Sequence, residues 1–151
     1  MELSGAQRPI EIDDERNAAS IVLPILIDEH PYLLLVKTDE ANPQITVMFE
    51  SPWLIPKSKT LDMAMLLNLI NCNTNLGCFM FSEETKLVMY RWQLFVPHHL
   101  KHPESLLEAV GFTVHTGVRA FEKYASLIAE CISTERSAGE VWSDFSAKAK
   151  G

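Results

Sequence analysis

The chain has 151 residues, 47% of them hydrophobic, and a formal net charge of −7, a length that suits one domain able to bury roughly 68–70% of the surface its unfolded form exposes. Its longest apolar runs, IVLPILI (residues 21–27) and YLLLV (residues 32–36), fall far short of the ~20 residues of a membrane span. Lys and Arg are nowhere clustered as a phosphate-binding surface requires, so neither a membrane nor a nucleic acid is expected as a partner.

The acidic excess is local. Residues 1–56 carry ten acids against Arg8, Arg16 and Lys37, whereas residues 57–151 carry ten of each sign. The opening stretch MELSGAQRPIEIDDER lacks the basic start and apolar middle of a secretory signal, so a cytoplasmic location is expected. Cys72, Cys78 and Cys131 form no CxxC pair and are expected as reduced, half-buried thiols packing like small hydrophobes.

In chain order, residues 1–18 read as an N-terminal arm with a short extended piece near residues 10–12. A single α+β domain is expected over residues 19–136. It opens with β-rich segments at about 19–28, 32–37 and 44–50, separated by the turn-forming DEHP and TDEANP, which makes an antiparallel meander. Pro24 cannot donate to a ladder and so places the first of these strands at a sheet edge or a bulge. After SPWLIPKSK, a helix is expected over residues 61–74, with Thr60 as its N-cap and Asp62 in its first turn.

At 100° per residue, Met63, Leu66, Leu67 and Ile70 share one face of that helix. Leu61, Ala64 and Met65 lie opposite, and farther along that side come Asn68, Asn71 and Asn75. A helix start that is apolar all round implies burial on both sides. The asparagine amides are expected to satisfy backbone groups where the chain leaves the helix. Asn73 or Asn75 is expected in the left-handed conformation, and Gly77 lets the next strand approach closely.

GCFMF (residues 77–81), the turn SEET and KLVMYRWQLFV (residues 86–96) read as a hairpin. Val88, Tyr90, Trp92, Leu94 and Val96 form its core face, and Leu87, Met89, Arg91, Gln93 and Phe95 a mixed second face. From Pro103 a helix of about thirty residues follows, with Leu107, Val110, Val114, Gly117, Phe121, Tyr124, Ile128 and Cys131 as its seam. Gly111 and Gly117 each cost about 1 kcal/mol inside a helix, so a kink or break is expected there. Residues 137–151 form a tail or short helix bearing Trp142 and Phe145, which either pack back on the body or present an anchor to another chain. The fold class is α+β, with an antiparallel sheet of about five strands in the order meander, helix, hairpin, long helix.

With these elements in this order, the sequence resembles the YbjN family of bacterial sensory-transduction regulators, which share the fold of the type III secretion chaperones. The resemblance spans about residues 19–133. It rests on the N-x-x-N spacing of Asn68 and Asn71, on Gly77 and Phe79 of LGCF, on the strand VMYRWQLFV and on the long helix with Tyr124. It implies a sheet backed by helices, pairing as a dimer, and an interaction role without catalytic residues. The family usually opens with a helix, which residues 1–18 do not form on this reading.

Candidate chemistry is sparse. His98, His99 and His102 of PHHLKHP are possible zinc or nickel ligands, but Pro103 pushes His102 away from helical geometry and no Cys or acid supports them. A polar strand-to-helix connection is the preferred reading. GxSxG, HExxH and Gly-rich phosphate loops are absent. The acid pairs Asp13/Asp14, Asp28/Glu29 and Glu83/Glu84 sit in turn-like segments where nothing would raise one pKa. No catalytic residue, cofactor or metal is therefore expected, and recognition remains. The interaction candidates are Leu61, Met65, Asn68 and Asn71 on the helix, Met89 and Arg91 on the sheet, and Trp142 and Phe145 in the tail. The expected partner is another protein, including a second copy as a homodimer. Two further readings stand beside this dimeric regulator: a chaperone of a secreted or exported client, and a metal protein using the three histidines.

Overall fold

The computed structural model describes residues 11–13, 18–39, 43–96 and 102–148. The elements are β1 (Glu11–Asp13), β2 (Ala18–Ile27), β3 (His30–Asp39), β4 (Gln44–Leu54), α1 (Thr60–Asn71), β5 (Cys78–Phe81), β6 (Leu87–Phe95), α2 (Pro103–Ser133) and α3 (Ala138–Lys148). The strands make one antiparallel sheet in the order β1-β2-β3-β4-β6-β5. The fold is α+β, as the element pattern predicts, with three residues of the arm added as a short edge strand.

Local chemistry fixes the meander. Asp28 and Glu29 form the β2–β3 connection with positive φ of 47° and 66°, the two-residue primed turn whose twist suits a hairpin. The resulting register pairs Ile27 with His30 and Leu23 with Leu34. Because side chains alternate, that register puts Leu23, Ile25, Tyr32, Leu34, Val47 and Phe49 on one face,. β1 pairs only with residues 18–20 of β2. Among the described residues Pro24 therefore has a neighbour strand on one side only, where a missing N–H is tolerated,.

All three helices serve that same face: α2 packs on β4 and β6, α1 on β5, and α3 on both α1 and α2. The core centres on Phe121 of α2, which is fully buried. Its ring lies 4.7 Å from that of Tyr32, 5.1 Å from Phe79 and 6.3 Å from Phe49, centroid to centroid, in tilted and edge-on arrangements that aromatic pairs prefer.

α2 runs unbroken through Gly111 and Gly117, contrary to the expected kink. Gly117 is buried, and a Cβ there would run into the Phe49 ring. The residue thus serves close packing of helix on sheet, which offsets its weak helix propensity. Gly111 is exposed, with nothing near its missing Cβ. The expected seam is buried or half-buried from Val110 to Cys131, but Leu107 is 73% exposed. Its neighbour Leu106 packs on the core instead, one position round the helix. Among the described residues no helix is long and apolar enough to cross a membrane.

Candidate interaction surface

α1 starts one residue earlier than its sequence signals place it, and Thr60 is not its cap. A 3-10 turn (Lys57–Lys59) leads straight into the helix, and no side chain caps it. Asp62 is drawn elsewhere. It accepts a hydrogen bond from the Ala138 N–H at the start of α3 (3.3 Å) and lies 3.5 Å from Lys59 Nζ. Lys59, itself buried, donates to the Arg136 carbonyl at 3.0 Å. The beginning of α1 is thereby tied to the beginning of α3.

That tie decides the fate of the tail. Val141 is buried, Phe145 stacks 5.6 Å from Tyr124, and Trp142 lies 5.6 Å from Phe145. Trp142 and Phe145 are half-buried on their own domain. Of the two alternatives for the tail, packing back is the one realised.

The end of α1 answers to its asparagines. Asn71 clamps β5: its Nδ2 donates to the Phe79 carbonyl at 2.8 Å, and the Phe79 N–H donates to its Oδ1 at 2.7 Å. Asn73 Nδ2 donates to the Leu69 carbonyl at 2.9 Å, closing the last turn. Neither Asn73 nor Asn75 adopts the left-handed conformation expected of them; Gly77 does, with φ of 67°. Gly77 packs against the Tyr90 phenol, whose hydroxyl donates to the Leu76 carbonyl at 2.6 Å. Asn71 is thus a joint between helix and strand, while Asn68 is exposed.

The expectation that α1 is covered on both sides does not hold. Leu61 is 74% exposed and Met65 53%, with Ala64 exposed between them. The reason lies in the layering: sheet, α2 and α3 all press on the Met63–Ile70 side, and no described element lies over the other.

A second area that no described element covers lies on the far side of the sheet. Successive cross-strand partners Val22, Leu35, Met48, Arg91 and Cys78 make one row across it. Pro24, Leu33, Glu50, Met89 and Met80 make the next. Leu26 and Phe95, both more than two-thirds exposed, belong to the same face. Arg91 and Glu50 sit half-buried and diagonal to each other amid this apolar field. The Arg91 Nε is buried with no hydrogen-bond partner, and neither residue joins an ion pair among the described residues. Met89 and Arg91 are legible in β6 from alternation alone. Their neighbours on β3 and β4 are not among the candidates read from sequence, although the run YLLLV is apolar at both parities, the pattern of a strand with two apolar faces.

His98 and His99 lie outside the described residues, and His102 is exposed. Among the described residues no group of three His, Cys, Asp or Glu could hold a metal. Cys72 and Cys78 are exposed rather than half-buried; only Cys131 is buried, and burial pushes its thiol pKa up. Asp28/Glu29 and Glu83/Glu84 occupy exposed turns. A shallow cleft of about 140 Å3 separates α2 from α3. Its Arg136 is already held by Glu130 and by Asp144, the latter at 2.6 Å.

Scans against known protein families, characterised proteins and solved structures returned no match.

Proposed function

We propose that this chain is a non-enzymatic protein-interaction module, a dimeric regulator of the kind its resemblance to the YbjN family implies, acting through apolar surfaces of helix and sheet. The observation that carries this reading is the pair of apolar surfaces, on opposite sides of one domain, that none of the described residues covers. One is the α1 flank of Leu61 and Met65; the other is the second face of the sheet. Soluble monomers rarely leave contiguous apolar patches beyond a few hundred Å2, and two such surfaces allow one to join copies while the other meets a partner.

Light scattering of the full chain at micromolar concentration is expected to give twice the 17.1 kDa of one chain. A mass of one chain would overturn the dimer. Leu61→Asp with Met65→Asp is expected to keep that mass and lose the partner captured by the parent protein, whereas a partner held equally by both would remove α1 from the reading. A secreted or exported protein as that partner would favour the chaperone alternative, which the exposed apolar flank of α1 also supports.

A further inference from the structure

We infer that the uncovered face of the sheet seats a second copy of this chain, sheet against sheet, with Arg91 of each copy on Glu50 of the other. The inference rests on the dimeric reading above and assigns its interface.

Charge is the first argument. Apart from Lys37 toward one end, the centre of this face has one cation and one anion, set on neighbouring strands, Arg91 beside Met48 and Glu50 beside Met89. Diagonal neighbours on adjacent strands stand about 7–8 Å apart at Cα, and within the chain these two do not pair. A half-buried guanidinium whose Nε is already cut off from hydrogen bonding is costly unless an opposite charge meets it.

Symmetry is the second. In a two-fold contact every residue pairing occurs twice, once in each direction. For two sheets facing each other the axis lies in the plane of contact. Set along the Met48–Met89 diagonal, it carries Arg91 onto the partner's Glu50 and brings each methionine close to its counterpart; Lys37, on the same diagonal, meets its own copy and has to turn its exposed amine to solvent,. The two sheets then cross steeply, one of the known ways in which sheets stack. The Arg91–Glu50 pair at the centre of the face is complementary to itself, and no second kind of chain is required.

Size is the third. Four long strands and the short β5 present roughly 600 Å2 in projection at the usual strand spacing and rise. That is comparable with the about 800 Å2 of accessible surface each partner buries in a stable complex. Leu33 and Leu35 supply the apolar border beside the methionines, whose flexible side chains fill gaps well.

The test uses full-length chains and light scattering, with circular dichroism to verify folding. Arg91→Glu leaves two acids at the centre of the face and Glu50→Arg two bases, so each variant alone is expected to run as a monomer, with association weakened at least ~100-fold by facing like charges. Mixed one to one, the two variants are expected to form a dimer, because each now offers the charges the other lacks. That rescue between chains is something a purely intramolecular effect cannot produce. Folded single variants that keep the parent mass, or a mixture that stays monomeric, would overturn this interface. A parent protein that remains dimeric in those cases leaves the dimeric regulator standing with its contact elsewhere; a monomeric parent removes both.

Discussion

On β4, Ile45, Val47 and Phe49 are buried, while the residues between them, Thr46, Met48 and Glu50, are half-buried on the opposite side. The same strands and register create both faces, yet one is roofed by three helices and centred on four aromatic rings around Phe121. The other holds comparable apolar material, with two unmatched charges at its centre. The difference teaches that apolar content alone does not say which face of a sheet becomes core. The covered face is the one whose side chains match the apolar stripes of α1 and α2.

On that contrast, substitutions on the covered face are expected to cost stability and substitutions on the open face to cost association. The largest effect is expected for Phe121→Ala, which empties the centre of the ring cluster and should lower the unfolding free energy by about 3–5 kcal/mol in urea titrations. Asn71→Ala comes next. Losing both hydrogen bonds to the Phe79 backbone should cost about 1–2 kcal/mol, whereas Asn68→Ala, on the exposed flank, should be close to neutral in the same titration.

The covered face also carries a pH signature. Burial, with a smaller contribution from Cys78, pushes the Tyr90 phenol up to about 12 from an ordinary value of 10.0; Tyr32 is pushed up as well, again mainly by burial. A group that binds its proton more tightly when folded contributes fully below its unfolded pKa and loses that contribution as pH climbs through the folded one. Stability should therefore fall between about pH 10 and 12, and Tyr90→Phe should flatten that fall, as read from urea midpoints across the range. The smallest effect on folding is expected on the open face. Met48→Lys should shift the stability of dilute protein by no more than about 0.5 kcal/mol, because the lysine stem can lie along its neighbours. A large loss of stability from Met48→Lys would show that this face is already covered within the chain and would erase the contrast.

Much of the architecture is legible in the residues themselves. The alternation of VMYRWQLFV and the seam from Val110 to Cys131 emerge because burial on one side imposes a period that sequence displays directly. The turn at Asp28 and Glu29 is legible from its acids, although not its positive φ. The Asn71 clamp is legible as amide chemistry at a helix end, but which asparagine reaches the strand depends on where β5 is placed. Thr60 misleads as a cap because the preceding 3-10 turn supplies the entry to the helix. Gly117 misleads as a breaker because propensity carries no knowledge of the Phe49 ring beneath it.

By itself the sequence determined the antiparallel α+β order and the inward faces of β6 and α2, since each depends on neighbours within a few residues. Only the tertiary structure decided that α3 folds back to tie α1 through Asp62 and Lys59, that the Leu61–Met65 flank stays open, and that Arg91 and Glu50 face outward together across β4 and β6. Those outcomes depend on which distant surfaces meet first and best, and no local period records that competition.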